Sequence, residues 1–163
     1  MPTSTVLDVM LILERDGLIL LAERANTGSH DGRLNLPSGK VEPGEDIVTA
    51  VIRETREEIG LILDPAHLRL VHAMQFHYPG GNTRVGWFFH TDHWDGDPVN
   101  AEPHKCAGLQ WHDPHNLPEH TVPYNAFGVA HHLNGEPFSV HGWETDPAAP
   151  NYPTSTGART SEI

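Results

Sequence analysis

The chain has 163 residues, with 22 acidic side chains against 10 basic ones and a formal net charge of −12. That length makes one domain, long enough to bury its own core, and a surface that negative repels nucleic-acid backbones, so polymeric DNA or RNA is not an expected partner. With 37% hydrophobic residues and no apolar run long enough to span a bilayer, the composition is that of a soluble globule with no membrane partner.

In chain order, "TVLDVMLILE" reads as a strand, and "RDG" turns it into "LILLAER", its hairpin partner. The opening residues lack a basic n-region and a small-residue cleavage site, and Asp8 interrupts the apolar run. They read as a first strand and not as a signal peptide. From Ala25 to Leu36 the chain is polar and Gly-rich, a surface loop, and "LPSGKVEPGE" is a second loop. Helical periodicity then runs from about Glu45 to Ile59 and stops at Gly60. "HLRLVHAMQFHY", "RVGWFFHTDHW" and "CAGLQWH" are strand-like runs separated by turn signals, with Trp87, Phe88, Phe89 and Trp94 as sheet-face core. "VPYNAFGVAHHLNG" is a second helix, with Pro123 near its start and Gly135 just past its end. Residues 136–163, rich in Pro, Thr, Ser and Gly, read as a flexible tail that Trp143 and Tyr152 could anchor, after a domain of residues 1–135. The order of elements predicts an α+β fold of α/β/α layering.

One cysteine, Cys106, leaves no internal disulfide and suits a reducing cytoplasm. Thirteen histidines are scattered without zinc-finger or HExxH spacing, so they are expected at exposed or strand-face positions and not as a metal site.

The segment "RETREEIG" poses the main question of the sequence. On a helix advancing roughly 100° per residue, Ile47, Val48, Val51, Ile52, Thr55 and Ile59 form one packing stripe. Glu54, Glu57 and Glu58 cluster beside it. Like charges three and four apart repel, and the C-terminal end of the helix dipole disfavours anions. A divalent cation reverses both effects, and hard anionic oxygen ligands suit Mg²⁺ or Mn²⁺ over zinc.

From Gly39 through Glu45, Arg53-Glu54, Glu57, Glu58 and Gly60 to Leu61, the spacing resembles the Nudix box, G-x5-E-x7-R-E-U-x-E-E-x-G-U, with U a bulky apolar residue. Seven specified positions at roughly 1/16 each coincide by chance on the order of once in 10⁸ windows. Thr55 stands at the first U position, where its methyl can pack inward and its hydroxyl can bond a carbonyl one turn back.

The resemblance implies an α/β/α sandwich and hydrolysis of a nucleoside diphosphate linked to another group. It implies that Glu54, Glu57 and Glu58 hold divalent metal with backbone carbonyls at Ser38 and Gly39, and that Arg53 pairs with Glu45 in a structural role. Proton removal from water then falls to a box glutamate, Glu57 or Glu54, or to Glu102 in "NAEPHKC", which is base, extra ligand or bystander. Over residues 5 to 134 the chain further resembles the MutT type, which acts on nucleoside triphosphates, including those of oxidised guanine. That resemblance places Arg24, Ser29, Asn35 and Leu36 at the nucleotide, with leucine where an aromatic residue is usual, and Asn125 at the purine edge. Asn125 also reads as an N-cap of the second helix. Other diphosphate-linked metabolites such as ADP-ribose, or a nucleotide-sensing module without catalysis, are the alternatives. The molecule is expected to act as a monomer or homodimer.

Overall fold

The computed structural model describes residues 4–78 and 80–143. Strand β1 (Thr5–Arg15) carries "VMLIL" at its centre and is buried on both faces. Its end forms a hairpin with β2 (Leu18–Arg24) through Asp16-Gly17, both at positive φ as a two-residue turn of this hand requires. Two very short strands follow, β3 (Leu34–Asn35) beside β2 and β4 (Ser38–Lys40) antiparallel to β1. After helix α1 (Ile47–Ile59) and a 3₁₀ turn at Pro65–His67 come β5 (Arg69–His77), β6 (Thr83–Thr91) and β7 (Cys106–His112). Helix α2 (Pro123–Leu133) and β8 (Phe138–His141) complete the described elements. Strand β1 lies parallel to β6, β6 antiparallel to β5, and β5 parallel to β8, while β2 also pairs with β7.

Alternation along β1 builds the sandwich. Val9, Leu11 and Leu13 point to the core under α1, with Ala50, Val51, Ile59 and Phe89. Met10 and Ile12 point to the opposite core under α2, with Phe76, Phe88, Tyr124 and Val129. Helix α2 lies close over β6 because residue 128 is glycine, where a Cβ would overlap the Phe88 ring. The expected α/β/α layering is therefore present, and Phe88 and Phe89 are core.

Three expectations are corrected. Helix α1 begins at Ile47, not Glu45, because Asp46 caps it, accepting from the Val48 and Thr49 amides and the Thr49 hydroxyl. The stretch from Glu136 is not simply a tail, since Phe138–His141 adds a strand to β5 and Trp143 stacks on His77 at 5.2 Å. Tyr152 lies outside the described residues. Nor are the histidines all at exposed or strand-face positions: His131, on α2, is buried against His72 of β5 and His141 of β8. His131 donates through Nδ1 to Glu136 (2.5 Å) and pairs through Nε2 with His141 (2.8 Å).

Candidate active site

The box residues meet where α1 crosses β4. Gly60 ends the helix in the left-handed region, and Thr55 turns its hydroxyl back to the Val51 carbonyl at 2.7 Å. Arg53 is the organising cation. Its Nε and Nη2 grip both oxygens of Glu45 at 2.7 and 3.0 Å, and Nη2 also donates to the Lys40 carbonyl. Its Nη1 reaches Glu54 (2.8 Å) and Glu57 (3.3 Å). The same contacts raise the Arg53 pKa and hold Glu45 below the usual carboxylate range. One guanidinium thus ties the loop before α1 to the helix and to β4.

Glu58 has no such partner. Its Oε2 accepts from the Ser38 amide at 3.0 Å. Burial, aided by the nearby charges of Glu54 and Glu102, pushes its carboxyl up to about 8 against that hydrogen bond. Burial also raises Glu54, opposed by Arg53 and reinforced by Glu57 and Glu102. Glu54 lies so close over Gly39 that a Cβ there would overlap its carboxyl group. Glu102 sits within range of both carboxylates because its loop is pinned to the end of α1. The Ala101 and Val99 amides donate to the Glu58 and Ile59 carbonyls, and Lys105 pairs with Glu102 at 3.4 Å.

Among the described residues, no three His, Cys, Asp or Glu side chains are grouped to hold a metal ion as they stand. The Arg53 guanidinium bridges Glu54 and Glu57 in this arrangement. The chemistry of the donor set nevertheless fits a hard divalent cation. It is all oxygen, and burial, reinforced by neighbouring carboxylates, raises the proton affinity of Glu54 and Glu58, which a bound cation would lower.

On the other side of β4 opens a cleft of about 470 Å³, lined by Arg24, Ser29, His30, Asn35, Tyr78, Arg84 and Asn125 together with Ser38, Gly39 and Lys40. Arg24 is partly committed, donating to the Ser29 carbonyl (2.8 Å) and the Thr27 hydroxyl (3.0 Å), which fixes the 25–33 loop. Asn35 turns its amide nitrogen to Ser38 Oγ at 3.3 Å. Asn125 is not an N-cap. Val122 holds that position, and the Asn125 Oδ1 instead accepts from the Leu36 amide at 2.9 Å across the cleft floor. Leu36 itself does not reach the cleft, because its side chain is fully enclosed in the α2-side core.

Asp8 and Arg84 belong to this cleft and were not singled out by motif. Arg84 grips both Asp8 oxygens at 2.6 and 2.7 Å, and Tyr124 donates to the same carboxylate at 3.4 Å. The available signal was a lone acid inside an apolar strand, which must find a partner when buried.

The NUDIX domain model matches residues 4–132. The chain belongs to the Nudix family. It is 31% identical over 94 residues to the 8-oxo-dGTP diphosphatase of Escherichia coli (strain K12), covering 58% of this chain and 70% of that one. It is 35% identical over 108 residues to the ADP-ribose pyrophosphatase of Methanocaldococcus jannaschii, covering 66% and 62%. Among solved structures, a MutT NUDIX hydrolase from Burkholderia pseudomallei superposes with a TM-score of 0.71 at 26% identity, covering 78% of this chain and 97% of that one. The protein is a MutT-like Nudix hydrolase with pyrophosphohydrolase activity, and its mixed sheet between two helices is the Nudix fold.

Proposed function

We propose that this Nudix hydrolase cleaves a nucleoside triphosphate, an oxidised purine triphosphate among the candidates, to the monophosphate and pyrophosphate. The observation that carries the reading is the position of β4. The Ser38–Gly39 backbone borders the cleft with Asn125, Asn35 and Arg24 and also lies against the Glu54 and Glu58 carboxylates. A nucleoside seated in the cleft would direct its phosphates over this backbone toward the glutamates. The name of the Escherichia coli relative supports an oxidised guanine substrate.

Glu54, Glu57 and Glu58, with the Ser38 and Gly39 carbonyls, would hold Mg²⁺, for which Mn²⁺ could substitute. When bound, such a cation neutralises phosphate oxygens and acidifies the attacking water. Arg53 holds Glu54 and Glu57 and ties them to β4 through the Lys40 carbonyl, while Glu58 reaches β4 through the Ser38 amide. Glu102, held within electrostatic range of Glu54 and Glu58, takes the water proton or adds a ligand. Lys40 at the cleft edge offers a positive charge to the substrate phosphates. The single cysteine suits a reducing cytoplasm, where we place the activity.

ADP-ribose is the second reading, favoured by the name of the Methanocaldococcus jannaschii relative. Product analysis with Mg²⁺ across natural and oxidised nucleoside triphosphates, ADP-ribose and nucleotide sugars decides between them. Equimolar monophosphate and pyrophosphate from a triphosphate, abolished by chelation, is expected. Turnover of ADP-ribose alone would transfer the assignment to the second reading.

A further inference from the structure

We propose that Asn100 is a positioning residue for Glu102: its side-chain amide closes the turn that leads into β7 and so holds the Glu102 carboxylate beside Glu54 and Glu58. This deepens the hydrolase reading and rests on the role of Glu102 as proton acceptor or extra ligand. A third acid does not stay beside two others unaided. Glu102 lies in the electrostatic field of Glu54 and Glu58, and like charges push its loop outward. Its ion pair with Lys105, at 3.4 Å, stays within the same turn and does not reach α1. The backbone must therefore be restrained by other means.

The chain is anchored on both sides of Glu102. On the approach, the Val99 and Ala101 amides donate to the Ile59 and Glu58 carbonyls at 2.9 and 3.0 Å, which fixes it to the last turn of α1. Past Glu102 it folds back at once, because the Lys105 and Cys106 amides both donate to the Glu102 carbonyl, at 2.8 and 3.0 Å. Cys106 then opens β7 and pairs with Arg24 of β2. One anchor belongs to the helix and the other to the sheet. Asn100 joins them, its Nδ2 donating to the Cys106 carbonyl at 2.7 Å. The Ala25 amide and the Asn26 side chain also hold the Lys105 and His104 carbonyls, at 2.9 and 3.1 Å. Asn26 is exposed, however, and a bond exchanged with water contributes little. Asn100 is partly buried.

The chemistry at residue 100 argues against simple packing. The Cys106 carbonyl can only accept, so Asn100 must present Nδ2 to it. Its Oδ1 is then buried with no hydrogen-bond partner among the described residues. An unpaired buried acceptor is a cost that an apolar side chain of similar size avoids. Set against that cost is one donor, and it is committed to the turn that carries Glu102.

The test compares Asn100→Leu, Asn100→Asp, Glu102→Gln and the double variant of Asn100→Leu with Glu102→Gln. Kinetics are run over a Mg²⁺ titration with whichever triphosphate or diphosphate-linked compound the native enzyme hydrolyses. Leucine and ionised aspartate approximate the size of asparagine, and neither donates to Cys106; thermal melts verify each fold. Both Asn100 variants should impair the same quantity, kcat or apparent Mg²⁺ affinity, that Glu102→Gln impairs. The loss should be about 10- to 100-fold, as for a catalytic group moved by about an ångström, with KM for the substrate changed less than about threefold. In the Glu102→Gln background Asn100→Leu should cost nothing further, since the carboxylate it acts through is already gone. Amide hydrogen exchange of the metal-free protein needs no turnover. Exchange at Lys105 and Cys106 should speed up at least about tenfold in Asn100→Leu, while the α1 amides keep native protection. Losses that multiply in the double variant overturn the positioning role and leave that of Glu102 intact. Native kinetics or native exchange in both Asn100 variants overturn it too. Native kcat and native Mg²⁺ affinity in Glu102→Gln would remove the role of Glu102, and this proposal with it. The expectations are the same if the compound hydrolysed is ADP-ribose, which would move the substrate reading alone.

Discussion

Two groups of charged side chains flank the central sheet, and they are balanced differently. On the α2 side Asp8 and Arg84 neutralise each other with two short hydrogen bonds, and Tyr124 adds a third. On the α1 side Arg53 must serve Glu45, Glu54 and Glu57, while Glu58 accepts from a single backbone amide and makes no ion pair, with only the more distant Arg24 charge acting on it. Native proteins leave few buried charges uncompensated, because desolvation of an unpaired ion costs several kcal/mol. The balanced pair therefore reads as architecture for a binding cleft. The unbalanced cluster is short of positive charge, which suits it to a cation brought in from solution. Pairing, more than acidity, separates the two.

The largest effect should come from removing the unbalanced charge. Glu58→Gln keeps the shape and the acceptor for the Ser38 amide, yet kcat should fall by at least about 10²-fold. The metal-free variant should be as stable as the native chain or slightly more so, since burial disfavours the charged form of Glu58 and glutamine carries no charge. Steady-state kinetics beside thermal melts gives both numbers. Native turnover in the variant would erase the distinction drawn between the clusters.

Breaking the balanced pair should do the reverse. Asp8→Asn leaves the Arg84 guanidinium without its counter-charge beside a buried strand, and should cost about 2–4 kcal/mol of folding stability. Urea unfolding measures it. A variant as stable as the native chain would show that Arg84 is compensated from elsewhere and that the pair is not what holds this side of the cleft.

Gly39→Ala sharpens the comparison at smaller scale. The new Cβ meets only the far end of the Glu54 side chain, which can swing away, so stability should change by less than about 1 kcal/mol. The displaced carboxylate should lower kcat about 10- to 100-fold, as expected for a misplaced catalytic group. Equal melting temperature with reduced kcat is the predicted outcome, and a cooperative loss of both would make Gly39 a folding glycine.

Local chemistry was the legible part of this molecule. The Gly60 stop, the Thr55 hydroxyl turned to Val51, the two-sided apolar run of β1 and the Arg53–Glu45 pair all follow from residues close together or from a motif with fixed spacing. What escaped notice depended on contacts remote in sequence. Asn125 bonds Leu36 across 89 residues, and Arg84 meets Asp8 across 76. Strand β8 hid in a Pro-rich stretch because four residues show too little periodicity to stand out, and its place is set by pairing with β5. The short strand β4 was legible as a loop, although its position beside β1 carries the Ser38 amide to Glu58.

The smallest predicted effect concerns the buried histidines, where balance is achieved with no formal charge at His72. Its Nδ1 faces the Glu136 carbonyl at 2.6 Å and must carry the proton, so Nε2 accepts from the Ser139 hydroxyl at 2.7 Å. His131 is stacked on it at 4.9 Å, Phe88 meets its edge, and His132 and the Glu136 carboxylate are also within electrostatic range. Burial lowers the His72 pKa below its ordinary 6.5, the Glu136 carbonyl and carboxylate oppose the shift, and the two other histidines add to it. The unfolded chain then binds this proton at a higher pH than the folded one. Stability from neutral His72 is fully present above about pH 6.5 and is lost as pH falls toward the lower folded pKa, by at most about 1.4 kcal/mol per pH unit. Other groups titrate in the same range, so the comparison must be with His72→Gln, which cannot charge. Urea unfolding of both proteins between pH 7.5 and 5 should show the native chain's advantage shrinking as pH falls. An advantage that grows toward acid would mean that His72 is held as the imidazolium by Glu136, and that this side of the sheet too relies on an ion pair.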